Sequence, residues 1–188
     1  MDPYTARFFA PLASLSLWRK NSLRSGATEL GVRPTRRNTV PIFERASASD
    51  VPALSELLDV LFTQEVEFKP DTAAQCKGLS TIIGNPDLGA ILVAREDRTV
   101  LAMVNLLFTI STALGERVAL LEDMVVSPSA RGSGVGSELL NYAIDFARLS
   151  GVRRITLLTD RENTSAQRFY AKHGFSESTM VPLRRTIP

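Results

Sequence analysis

The chain has 188 residues, 44% hydrophobic and 22% charged, with a net charge of +2. That fits one globular domain with an appendage, and no apolar run approaches the ~20 residues of a membrane-spanning helix, so no membrane partner is expected. One cysteine (Cys76) and one histidine (His173) exclude a disulfide framework and argue against structural zinc, so no metal is expected.

The charge is unevenly spread. Residues 1–40 carry seven basic and two acidic side chains, a net +5, which leaves −3 for the rest. The basic character thus belongs to the leader, and no nucleic-acid partner is expected for the remainder. The leader is rich in arginine and serine, is broken by Pro3, Pro11 and Pro34, and shows no sustained period. It reads as a disordered extension, with an organelle transit peptide or an interrupted secretory signal as alternatives. The expected location is the cytoplasm, or an organelle if residues 1–40 are a transit peptide.

Residues 42–46 read as a first strand. Ser49-Asp50 caps a helix with Pro52 in its first turn and Leu54, Leu57, Leu58, Leu61 and Phe62 at helical spacing. A polar segment, 63–71, leads to a second helix ending near Gly84-Asn85-Pro86. The runs 90–95 and 99–109 form an antiparallel hairpin across Glu96-Asp97-Arg98. Residues 117–126 make the next strand, 135–149 a helix, 154–159 a strand and 163–173 a helix stopped by Gly174. The tail from Phe175 is expected to be β. The order β-α-α-β-β-β-α-β-α-β predicts a mixed α/β (α+β) sandwich around one sheet over residues 41–188.

The most informative stretch follows the strand that ends at Met124-Val125-Val126. Ser127-Pro128 turns the chain, and Arg131, Gly132, Ser133, Gly134, Val135, Gly136 and Ser137 run straight into a helix. Alternating glycines let backbone approach a ligand and tolerate positive φ. A helix start offers unpaired N–H groups and partial positive charge, to which Arg131 adds a full one. The assembly suits a diphosphate. It is not Walker A, which needs Gly-Lys-Ser/Thr, nor the dinucleotide fingerprint G-x-G-x-x-G. Taken with Asn163, Ala166, Tyr170 and Gly174-Phe175 downstream, the chain resembles the GCN5-related N-acetyltransferase (GNAT) family across residues 42–188.

That resemblance implies a mostly antiparallel sheet flanked by helices, and acetyl-CoA as co-substrate. It implies that the pantetheine arm lies along Met124, Val125 and Val126, with the diphosphate on residues 132–137. It also places Asn163 on the cofactor side and Tyr170 near the sulfur. Asn163, Ala166 and Tyr170 share one helix face by spacing. A phenol of pKa about 10 suits protonation of a departing thiolate, so Tyr170 is the candidate general acid. The plain alternative is a core aromatic with its hydroxyl at the surface. Family members are often dimers, so a homodimer is possible.

Glu122 and Asp123 close an otherwise apolar strand, and buried charge needs a partner or water. Alternation puts neighbouring strand residues on opposite faces, so the two are expected to differ in role. Leu121-Glu122-Asp123 with the glycine loop is similar to the diamine (spermidine/spermine) acetyltransferases. By that likeness Glu122 is the base at the acceptor amine, directly or through water, and Asp123 is structural. Pairing of both with arginines such as Arg153 or Arg154 is the alternative. Glu65, Glu67 and Phe68, between the first two helices, combine acid with an aromatic ring and suit a cationic amine; a solvated loop is the plainer reading. The expected reaction is acetyl transfer to a small-molecule amine in a ternary complex. Protein acetylation and a CoA-binding domain without catalysis are the rivals. His173 is expected to end its helix and complement the dipole.

Overall fold

The computed structural model describes residues 40–63, 69–185 and 187. Among the described residues nine strands and α-helices follow in order: β1 (Ile42–Arg45), α1 (Val51–Phe62), α2 (Thr72–Gly84), β2 (Gly89–Glu96), β3 (Thr99–Ser111), β4 (Glu116–Val126), α3 (Val135–Leu149), β5 (Ile155–Thr156) and α4 (Thr164–Lys172). The five strands form one sheet in the order β1-β2-β3-β4-β5. The first four are antiparallel, and β5 runs parallel to β4. This is the mixed, mostly antiparallel sheet flanked by helices that the sequence predicts.

Strand alternation divides the core into two layers. Leu92, Ala94, Val104, Leu106 and Leu121 meet α3 through Leu139, Leu140 and Ala143, and meet α4 through Ala166 and Tyr170. On the other face Ile91, Val93, Met103 and Val125 meet Leu54, Leu57, Leu58 and Leu61 of α1 and Leu79 and Ile82 of α2. Both helix layers thus bury the apolar stripe that 3.6-residue periodicity writes into them.

The start of α1 is fixed one step earlier than Ser49-Asp50 suggests. Ser47 donates its backbone N–H to Asp50 Oδ2 at 2.8 Å and its hydroxyl to the same oxygen at 3.0 Å. Asp50 also pairs with Arg95 at 2.8 Å, and Arg95 with Glu44 at 2.7 Å, which ties β1, β2 and α1 together. Burial alone would raise the Asp50 carboxyl, but hydrogen bonds from Ser47 and Arg95 outweigh it and hold the group below its ordinary value.

Two expectations about strands are corrected. Residues 154–159 contribute only Ile155 and Thr156 to the sheet, paired with Ala119 and Leu120. No strand occurs among the described residues after Phe175. A two-residue β5 offers almost no edge to extend, and Pro182 lacks the N–H a ladder needs. Met180, Val181 and Leu183 are consequently exposed.

Candidate active site

The short β5 creates the central feature. Ala119 N–H donates to Arg154 O at 2.9 Å, and the β4–β5 register stops at Leu120. Met124–Val126 lie beyond it, with β3 on their other side through Met103↔Val125 and Ala102↔Val126. The edge that would continue toward β5 is therefore a strand edge without a ladder partner. An arm with two amides can pair with such an edge in the manner of an added strand.

At the same place β4 bulges. Asn105 aligns with Glu122 and Met103 with Val125, so Asp123 and Met124 together oppose the single residue Val104. Asp123 takes φ of 41°, a left-handed conformation that few non-glycine residues adopt. The bulge resets the alternation. Leu121 belongs to the α3 layer; after the bulge Val126 belongs to it again, while Val125 faces α1 and α2. Asn105 Nδ2 donates to Asp123 Oδ2 at 3.4 Å, and Asn105 is also the cross-strand partner of Glu122. Glu122 and Asp123 are thereby brought to the same side of β4, correcting the expectation that they face opposite ways. Glu122 is buried and Asp123 half-buried.

The glycine loop takes the predicted form. Gly132 and Gly134 have φ of 75° and 93°. A Cβ built on either meets nothing within 4 Å, so the space over the loop is open and a side chain would enter it. A Cβ on Gly136 would lie 3.1 Å from Val126 Cγ2, because the first turn of α3 is pressed against β4. In the first turn of α3, Ser137 and Glu138 N–H donate to Gly134 O at 3.0 and 3.2 Å and Val135 N–H lies 3.4 Å from Ser133 Oγ, so the loop's own backbone and hydroxyl shape the helix start. Arg131 donates from Nε to Val126 O at 3.2 Å, so this cation also pins the loop to the strand.

Helix α4 closes the site. Asn163 caps it, its Oδ1 accepting from Ala166 N–H at 3.1 Å and from Ser165 Oγ at 2.9 Å. Its Nδ2 is buried without a hydrogen-bond partner, a donor that an acceptor on a bound molecule would satisfy. Tyr170 is buried against Phe169 and Phe175, with ring centroids at 5.2 and 5.7 Å. Its hydroxyl reaches Met124 Sδ at 3.9 Å, directly over the bulge. Burial pushes the phenol well above its ordinary value, so it carries its proton at neutral pH.

Beside the open β4 edge, Tyr170 reaches Met124 at 3.9 Å and Arg131 reaches Val126 at 3.2 Å, while Glu122 and Asp123 stand just before Met124 on the same strand and Asn163 caps α4. Residues 51–175 match the family described as Acetyltransferase (GNAT) family. The chain belongs to the GNAT acetyltransferase family. As a GNAT N-acetyltransferase it is 32% identical over 139 residues to the uncharacterized N-acetyltransferase YhfO of Bacillus subtilis, covering 72% of this chain and 89% of that protein. It is 26% identical over 145 residues to the aminoalkylphosphonate N-acetyltransferase of Salmonella typhimurium, covering 76% of this chain and 91% of that protein. The solved structure of a putative acetyltransferase from Agrobacterium tumefaciens superposes with a TM-score of 0.66 at 26% identity, over 77% of this chain and 99% of that one.

Glu65, Glu67 and Phe68 lie outside the described residues. Two residues went unnoticed as site neighbours. Asn105 sits mid-strand in β3 among apolar residues, and only the bulge brings its amide to Asp123. His173 caps the end of α4 as predicted, but its ring turns to α3: Nδ1 lies 2.8 Å from Asn141 Oδ1 and Nε2 lies 3.1 Å from Ser137 Oγ. Burial first, then the neighbouring Lys172 charge, lowers its pKa, so the neutral ring is favoured over a cation complementing the helix dipole. A lone histidine two residues before the Phe175 core contact gives no sequence signal for this.

Proposed function

We propose that this GNAT enzyme transfers acetyl from acetyl-CoA directly to a primary amine of a small molecule, in a ternary complex. The observation that carries the reading is the β4 edge left open beyond Leu120, with the Tyr170 hydroxyl over Met124 at its start. Met124, Val125 and Val126 hold the pantetheine arm by backbone, and Gly132–Ser137 with Arg131 hold the diphosphate. Asn163 Nδ2 supplies a further donor, and Ala166, buried beneath it, lets α4 lie close.

Glu122 takes the ammonium proton, directly or through water, and Asp123 beside it adds negative charge that favours a cationic acceptor. The amine nitrogen attacks the thioester carbonyl, and a β4 N–H near Met124 or Val125 steadies the oxygen. The C–S bond breaks as Tyr170 gives its proton to the sulfur, and the second proton of the amine nitrogen, lost as the amide forms, passes through solvent to restore the Tyr170 phenol. The low dielectric that raises the phenol also raises a thiol, so the transfer remains near balance. The Salmonella relative, an aminoalkylphosphonate N-acetyltransferase, supports a small amine acceptor.

The test is initial-rate thiol release with acetyl-CoA and pooled polyamines, aminoalkylphosphonates, amino acids, aminoglycosides and short peptides, both substrates varied. The expected result is release with one small-amine pool and intersecting double-reciprocal lines. Parallel lines would overturn direct transfer. Release with peptides alone would favour protein modification, and a thermal shift with acetyl-CoA but no release would favour a binding-only domain.

A further inference from the structure

His173 lies outside the transfer chemistry, yet it is hydrogen-bonded to the diphosphate loop. It bridges the end of α4 to the first two turns of α3, where Ser137 and Asn141 stand one turn apart. Asn141 Oδ1 is an acceptor only, so the 2.8 Å contact requires the proton on Nδ1. In the neutral ring Nε2 is then an acceptor, and the 3.1 Å contact is a hydrogen bond donated by the Ser137 hydroxyl. That hydroxyl cannot at the same time donate to an anion on the loop.

We propose that His173 is a positioning residue that takes up a proton when the diphosphate of acetyl-CoA binds. With a proton on Nε2, His173 donates to Ser137 Oγ, and the Ser137 hydroxyl proton is released to point at a phosphate oxygen. The proton comes from solvent and bonds to Nε2; no other bond is made or broken. The inference rests on the proposed seat of the diphosphate at Gly132–Ser137.

The surroundings favour such a change on loading. Lys172, on the same helix, opposes a charge on the ring, and the Phe169 ring packs at 5.0 Å. From α3 come the neutral Ser137 and Asn141, with the exposed carboxylate Glu138 between them in sequence. The unloaded ring therefore favours neutrality, and an arriving anion supplies the charge that reverses this. Cofactor affinity should then strengthen as pH falls from about 8 toward the ordinary histidine value of ~6.5.

The decisive experiment titrates dephospho-CoA into the full-length protein by calorimetry at pH 7, in buffers of different ionisation enthalpy. Dephospho-CoA keeps the diphosphate but lacks the 3′-phosphate monoester, which itself titrates near pH 6. The expected result is net proton uptake on binding in the wild type and about none in His173→Gln, with binding retained in that variant. Binding heat without proton uptake in the wild type, or equal uptake in His173→Gln, would overturn the proposal and leave the diphosphate seat intact. No binding heat in the wild type would overturn both. Should His173→Gln fail to fold, Ser137→Ala serves, and undiminished uptake in it would count against the proposal.

Discussion

Tyr170→Phe is expected to lower kcat by about 10²-fold or more, with acetyl-CoA affinity changing less than about twofold. The substitution removes one oxygen and keeps the ring that packs on Phe169 and Phe175, so the core should retain its stability. The hydroxyl contributes almost nothing to binding in the unloaded site, since its contact is a 3.9 Å approach to Met124 Sδ. Its effect should therefore fall on the step that expels the thiolate. Steady-state kinetics at saturating acetyl-CoA, with a melting curve as control, measures this. An unaltered kcat would remove Tyr170 from the role of general acid.

The second large effect is on binding. Gly134→Val is expected to weaken acetyl-CoA affinity on the order of 10²-fold. Gly134 holds φ of 93° as the residue preceding α3, and a β-branched side chain there costs about 2 kcal/mol or more. The new side chain would also enter the open space over the loop where the diphosphate is proposed to sit. The position is exposed, so the protein should fold with only a modest drop in melting temperature. A calorimetric Kd equal to wild type in a folded variant would contradict the assignment of the loop.

Much of this architecture was legible because local signals agreed with the global fold. Helix α3 begins at Val135, behind a glycine with positive φ, and ends before Gly151; both limits are written in residue types. Asn163 and Gly174 bracket α4 in the same way. Legibility fails where one segment's state depends on another's. Leu157, Leu158 and Thr159 are apolar enough for a strand, but the β4–β5 register stops at Leu120, so they leave the open β4 edge unpaired. The faces of Glu122 and Asp123 failed for a related reason. Strict alternation is the correct prior, and no turn residue announces the bulge, because Asp123 adopts positive φ in place of a glycine. The contact of His173 with Ser137 and Asn141 spans more than 30 residues and is visible only once α3 and α4 are packed together.

The bulge also explains how one strand serves two purposes. The bulge at Asp123 and Met124 turns the Asp123 carboxylate toward Asn105, the cross-strand partner of Glu122, while Met124 and Val126 meet the α3 layer. The proposed amine and thioester sites therefore meet at one backbone irregularity, a common location for β-bulges. In the proposed reaction an acetyl group moves directly from sulfur to amine nitrogen. Its most direct measurement follows the carbon: acetyl-CoA labelled with ¹³C in the acetyl group is incubated with the protein and the small-amine pools, and both amines and protein are weighed by mass spectrometry. Direct transfer leaves labelled acetyl on an amine and none held covalently on the protein during turnover. Acetyl-CoA bound and stable with no amine labelled, or label accumulating first on the protein, would contradict it.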